Sequence, residues 1–290
     1  MTQVELIALA YQFGLAVAFL ILSAAGLAVI FGMMGIVNMA HGELIMIGAY
    51  GTSIANRHGL PLVLAALCGV LASTATGVLL ERTVIRRFYD RPSESLVMTW
   101  AIGLFISQAA LIVFGPSLPS ISSPLGSVAF GGFSLSIYGL LLIAFGLAVP
   151  VAIYLLLSTT TFGLHARATM QNVEVARAIG INSGSVYSAT FALGAGLAGL
   201  AGALYAPTMS AVPNMGGSFI VQAFVTVVTG GGNLVYGTLP AAAGLGLVQT
   251  ALTAVFGNLV GVLGLLAAVI VSAKLFPNGL AHRLSGKRFS

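Results

Sequence analysis

Three stretches of this chain, residues 6–42, 95–166 and 178–273, contain no Asp, Glu, Lys or Arg. A helix needs about 20 mostly apolar residues to cross a hydrocarbon core of roughly 30 Å, and each stretch has room for one or more. Hydrophobic residues make up 58% of the chain and charged residues 6%, against about 25% charged in soluble domains. Water is therefore excluded as the main solvent. The apolar runs predict an all-α integral membrane protein of about eight transmembrane helices, near residues 6–31, 35–56, 60–80, 96–114, 137–157, 187–206, 234–255 and 259–276. A shorter element is expected at 216–229, and residues 1–290 read as a single polytopic membrane domain.

The short first segment, Met1-Thr2-Gln3-Val4-Glu5, lacks the basic residues of a signal peptide, so the first apolar run is expected to stay in the mature protein. Cys68 lies inside an apolar run with no second cysteine to pair with, and reads as a small core residue.

The formal charge of +5 does not point to nucleic acid, because the basic residues fall in short clusters beside apolar runs. These are Arg82, Arg86, Arg87 and Arg91; Arg167 and Arg177; and Lys274, Arg283, Lys287 and Arg288. Basic residues in short loops are retained on the cytoplasmic side, so all three clusters are expected there. The uncharged connection 115–136 is then external, as is the N-terminus, with Arg57 a local exception. The element at 216–229 would extend about 21 Å at 1.5 Å per residue, too short to cross. It is read as a re-entrant helix broken at Gly230-Gly231-Gly232, and the C-terminus, with its basic cluster, is expected on the cytoplasmic side. Broken backbone is tolerated in a membrane where it is buried in protein or lines a cavity, which makes the three glycines candidate pathway residues.

Asn38-Met39-Ala40-His41-Gly42-Glu43 brings an amide, an imidazole and a carboxylate together near the start of the second helix. A carboxylate at the bilayer centre costs about 2.5–3.5 kcal/mol even on insertion scales. Asn38, His41 and Glu43 therefore either pin helices together at an interface or line and gate a pathway. No Cys-x-x-Cys or second histidine at ligand spacing accompanies them, so no metal site is expected.

The run from Gly194 to Ala203 sets small residues four apart, as in Gly194, Ala198 and Gly202, or Ala195, Gly199 and Ala203. Such a face lets helices approach closely. Between Gly163 and Asn182, apolar Met170, Val173, Ala176 and Ile179 recur every three residues, with Arg167, Gln171 and Glu174 elsewhere. The spacing predicts one amphipathic cytoplasmic helix stopped at Gly180. Such a helix lies on lipid headgroups or docks a soluble partner, and its mixed charge with few bulky apolar residues favours docking.

Three stretches resemble the permeases of branched-chain amino acid (Liv-type) ABC importers. They are Gly35-Ile36-Val37-Asn38-Met39-Ala40-His41-Gly42-Glu43 followed by Gly48-Ala49-Tyr50; the Arg167 to Gly180 loop leading to Tyr205-Ala206-Pro207; and Gly230-Gly231-Gly232-Asn233-Leu234-Val235-Tyr236-Gly237-Thr238. The resemblance implies a permease subunit in the bacterial cytoplasmic (inner) membrane that forms half of a translocation pathway. Its implied partners are a second related permease subunit, two cytoplasmic ATPase subunits and an external (periplasmic) solute-binding protein. It also implies a coupling helix at Arg167, Asn172, Glu174, Ala176, Arg177 and Gly180, although Glu174-Val175-Ala176-Arg177-Ala178-Ile179-Gly180 is a loose version of the usual string. No Gly-x-x-x-x-Gly-Lys-Ser/Thr occurs and the only lysines are Lys274 and Lys287. The chain is thus expected to bind no cofactor, with ATP bound and hydrolysed on partner subunits.

Two other classes compete. An ion-coupled secondary transporter or channel draws support from Glu43 and the glycine break, but intramembrane carboxylates are otherwise scarce. An intramembrane enzyme would need a nucleophile with its base, which the sequence does not display. The solute stays open among branched-chain amino acids, other amino acids, urea, amides and aromatic acids.

Overall fold

The computed structural model describes residues 3–89, 91–122, 125–130, 133–276 and 279–284. Its helices are α1 (Gln3–Met34), α2 (His41–Arg57), α3 (Leu62–Thr83), α4 (Pro92–Phe114), α5 (Ile137–Thr159), α6 (Thr161–Gln171), α7 (Val173–Ala178), α8 (Ser183–Tyr205), α9 (Met215–Gly230), α10 (Leu239–Phe256), α11 (Asn258–Leu275) and α12 (Gly279–Leu284). A 3-10 turn, Ile85–Phe88, follows α3, and a π-turn, Leu234–Thr238, precedes α10. Seven of the described helices, α1, α3, α4, α5, α8, α10 with its π-turn, and α11, are long and apolar enough to cross a membrane. The protein is an all-α, multi-pass membrane protein.

The boundaries have local causes. Gly35, at φ +66°, ends α1, so the second helix starts at His41 rather than near 35 and runs for 17 residues. Asn172, Asn182 and Asn233 cap α7, α8 and the π-turn, each accepting a hydrogen bond from the amide three residues on. The uncharged connection after α4 contains a small antiparallel hairpin, β1 (Ser127–Phe130) paired with β2 (Phe133–Ser136). Lys287 and Arg288 of the basic tail lie outside the described residues.

The chain divides into two compact units, Ala25–Ser122 with Ala152–Val221, and Met1–Ala24 with Ser123–Val151 and Gln222–Ser290. The first is built on α2, α3 and α8, which pack mutually through small residues. A Cβ on Gly48 would stand 2.4 Å from the Gly199 carbonyl oxygen, one on Gly69 2.3 Å from the Gly48 carbonyl oxygen, and one on Gly202 1.9 Å from the Ile45 carbonyl oxygen. Backbones therefore touch directly, as the small-residue stripe of α8 predicts. The Ser73 hydroxyl of α3 lies 2.9 Å from the Leu44 carbonyl oxygen of α2 and 2.8 Å from that of Ala195 in α8, bridging all three helices.

Cys68 corrects the sequence reading, for it is exposed. The buried face of α3 runs Ala65, Gly69, Ser73, Gly77 and Glu81, and Cys68 shares the outward side with Leu64, Leu67 and Leu71. An apolar outer face is what a helix presents to lipid, so an apolar run alone cannot tell inside from outside.

In the second unit, Leu20 and Ile21 of α1 pack with Ala242 and Leu245 of α10 and Leu265 of α11. The Tyr11 hydroxyl donates to the Ser136 carbonyl at 3.1 Å, tying α1 to the hairpin.

Candidate functional site

In the first unit the loop after α1 folds back on itself before α2 begins. The Asn38 side-chain oxygen accepts from the Ala40 amide at 3.1 Å, and the Met39 amide donates to Thr99 Oγ1 of α4 at 3.0 Å. Asn38 and His41 are fully buried. The Asn38 side-chain amide nitrogen has no partner among the described residues. The His41 ring packs against Gly26 of α1, where a Cβ would come within 2.8 Å of its Cε1.

Glu43 sits two residues on, in a slot made by glycines from two other helices. A Cβ on Gly103 of α4 would lie 3.1 Å from one carboxylate oxygen, and a Cβ on Gly216 of α9 3.0 Å from the other. Gly42 and Gly216 meet backbone to backbone, a Gly42 Cβ falling 2.1 Å from the Gly216 carbonyl oxygen. The Ser107 hydroxyl donates to the Pro213 carbonyl at 2.6 Å, holding the chain that enters α9 against α4. Glu43 joins no ion pair among the described residues, where Arg91 and Glu94 pair on the surface.

The segment 163–182 is not the single amphipathic helix its periodicity predicts. Asn172 has extended backbone (φ −159°, ψ 110°) and breaks it into α6 and α7. As an N-cap, its side chain bonds the Val175 amide in preference to continuing the helix. The break takes Met170, Val173, Ala176 and Ile179 off a common face: Ala176 is buried while Met170 and Ile179 are exposed. Gly180 does stop α7, at φ +89°. Its amide donates to the Arg177 carbonyl and that of Ile181 to the Ala176 carbonyl, the paired bonds of a Schellman motif.

Of the residues expected to couple, Arg167 donates to the Leu157 carbonyl and staples the α5–α6 corner. Asn172, Ala176 and Gly180 shape α7. Glu174 and Arg177 remain exposed, beside Val175 and Ile179, which are 57% and 70% exposed.

Glu81 lies one residue past the helix expected over 60–80, and nothing in the sequence reading singles it out. It is fully buried on α3, accepting hydrogen bonds from the Tyr89 hydroxyl and, at 2.6 Å, from the Ser188 hydroxyl of α8. Burial, then the bond to Glu81 and its negative charge, push the Tyr89 phenol well above its usual value. Tyr89 also meets Tyr187 edge to face at 4.9 Å. The signal was present in the sequence, because Ala65, Gly69, Ser73 and Gly77 step by four into Glu81. Arg86, Arg87 and Arg177 line one cavity beside this cluster, so the first two basic clusters meet at one end of the unit.

Gly230, Gly231 and Gly232 belong to the other unit. Gly231 and Gly232 have φ of +81° and +75°, ending α9 after 16 residues. A Cβ on Gly230 would fall 2.6 Å from the Thr238 amide nitrogen, so the end of α9 lies against the π-turn. The break expected from the three glycines is present. Among the described residues no group of three or more His, Cys, Asp or Glu is placed to hold a metal ion.

The family model described as "Branched-chain amino acid transport system / permease component" matches residues 10–274. The chain is 28% identical over 256 residues to the high-affinity branched-chain amino acid transport system permease protein BraD of Pseudomonas aeruginosa, covering 82% of this chain and 83% of that protein. It is 27% identical over 282 residues to the permease protein LivH of Escherichia coli (strain K12), covering 90% and 91%. It is 32% identical over 139 residues to the autoinducer 2 import system permease protein LsrC of Yersinia enterocolitica, covering 47% and 38%. No solved structure matches it. With apolar spanning helices, a glycine-packed core and a family match over nearly its whole length, the chain belongs to the branched-chain amino acid transport system permease components.

Proposed function

We propose that this permease subunit forms half of the translocation pathway of an ATP-driven importer for branched-chain or related amino acids. The pathway is completed by a second related permease subunit, and an external solute-binding protein delivers the solute. Two cytoplasmic ATPase subunits bind and hydrolyse ATP, while this chain binds none. The arginine-bearing end of the first unit faces the cytoplasm, as retention of basic loops requires, and the N-terminus is external. Asn38, His41 and Glu43, and separately Gly230 to Gly232, contribute to the pathway or its gate.

The observation that carries this reading is the α6–α7 corner. It is capped at each turn, so it is locally rigid, yet it presents Val175 and Ile179 outward next to Glu174 and Arg177. A fixed apolar pair rimmed by both signs of charge suits a soluble protein partner, since exposed apolar groups on an ordered short element gain by burial. The test uses the complex purified from native membrane and reconstituted with its binding protein. Ile179→Asp leaves the loop's internal bonds in place, and is expected to abolish solute-stimulated ATP hydrolysis while the permease still inserts. Unchanged stimulation would overturn the coupling assignment, and absence of any ATPase subunit from the purified complex would overturn the importer reading.

A further inference from the structure

The cavity of about 440 Å³ at the start of α8 is lined by Arg86 and Arg87 of the 3-10 turn, Arg177 of α7, and Asn182, Ser183 and Gly184. Three arginines thus line one space. No ion pair engages any of them among the described residues. Like charges brought together in this way favour an anion between them.

The N-terminus of α8 adds donors of the same sense. Its cap, Asn182, takes up the amides of Ser185 and Val186, leaving those of Ser183 and Gly184 as first-turn donors at the positive end of a 23-residue helix. Gly184 holds its place beside a guanidinium: a Cβ there would stand 3.4 Å from an Arg86 terminal nitrogen. The second, independent sign is Ser183. It is 2% exposed and lines the cavity, and its hydroxyl has no hydrogen-bond partner among the described residues. A buried hydroxyl left unsatisfied costs about 1–3 kcal/mol, and a ligand oxygen in the cavity would remove that cost.

We infer that this cavity is a binding site for a phosphoryl group, held by Arg86, Arg87 and Arg177, the first-turn amides of α8 and the Ser183 hydroxyl. Forked guanidinium donors and helix-end amides are the chemistry that recognises phosphate oxygens. The group comes either from an anionic phospholipid headgroup at the membrane surface or from free phosphate. Exposed Glu174 borders Arg177 in an adjoining cavity with Tyr89, where it disfavours an anion extended toward α7 and directs the ligand to the Arg86 side.

The test uses the isolated full chain, without ATPase subunits. Thermal unfolding is followed in detergent with inorganic phosphate against chloride at matched ionic strength, and in nanodiscs of phosphatidylcholine with or without phosphatidylglycerol. Stabilisation by phosphate identifies a free phosphate; stabilisation by phosphatidylglycerol alone identifies the lipid. Arg86→Gln is expected to weaken whichever response occurs about tenfold in ligand concentration, the size of one lost charge-assisted hydrogen bond. Ser183→Ala is expected to weaken it several-fold without lowering the stability of the ligand-free chain, because it removes an orphaned hydroxyl. No response to either probe would overturn the site, as would variants that respond like wild type. A wild-type chain stabilised only by added ATPase subunits would also overturn it, assigning the arginines to an acidic protein partner.

Discussion

Gly202→Ala tests whether backbone contact between α2 and α8 holds the first unit together. In an ordinary helix interior the change is favourable by about 1 kcal/mol, since Ala loses less conformational freedom than Gly. Here the new methyl would stand 1.9 Å from the Ile45 carbonyl oxygen and 2.7 Å from the Ala49 amide nitrogen. The first of these is about 1.5 Å inside normal van der Waals contact. Both obstacles are backbone, so no side-chain rotation relieves them and the helices must separate. Overpacking of this kind costs about 1–3 kcal/mol, often more where backbone must move. The net expectation is a loss of about 2 kcal/mol, read as a fall of roughly 5 °C in unfolding temperature. Gly244→Ala on α10, where a Cβ meets nothing within 4 Å, serves as control and should be neutral or stabilising. Gly48→Ala stresses the α2–α8 contact again, through Gly199, so the double variant should lose less than the two single losses together. Scanning fluorimetry in one detergent compares all four variants. Equal stability of Gly202→Ala and Gly244→Ala, or strict additivity at Gly48 and Gly202, would refute the close-contact argument.

Glu43→Gln preserves shape in the slot between Gly103 and Gly216 and removes the charge, so uptake should fall more than the amount of assembled protein; matched losses of both would mark Glu43 as structural. For Tyr89, the folded protein keeps a proton that the unfolded chain releases above about pH 10. Its contribution is therefore complete below that pH and lost as pH rises through the higher folded value. The stability advantage of wild type over Tyr89→Phe should shrink above pH 10, and a constant difference from pH 8 to 11 would contradict the buried Tyr89–Glu81 bond. Gly231→Ala forces a side chain into the left-handed region at a cost of about 1–2 kcal/mol, so it should unfold earlier than Gly217→Ala, which has neither positive φ nor a neighbour within 4 Å; equal stabilities would count against the break at the end of α9.

What the sequence determined by itself was everything that depends on composition along the chain. Charge-free runs of sufficient length must be buried in lipid as helices, whatever they pack against. The glycine break after α9, the Gly180 stop and the close-packing stripe of α8 were also legible, because glycine acts locally through its missing Cβ. Tertiary structure alone decided which face of each apolar helix turns inward. Hydropathy is blind to that choice when lipid and protein interior are equally apolar. Cys68 therefore read as core and lies outside, while Glu81, one residue past the helix expected over 60–80, lies fully buried, its charge made tolerable by hydroxyls from Tyr89 and from Ser188, 107 residues away in sequence. The split of α6 from α7 followed from competition between Asn172's own cap bond and helix continuation, which periodicity does not weigh. The meeting of Arg86 and Arg87 with Arg177 and the start of α8 joins residues about ninety positions apart. No local pattern in the chain contains it, because only the packing of α3 against α8 brings those loops to the same end.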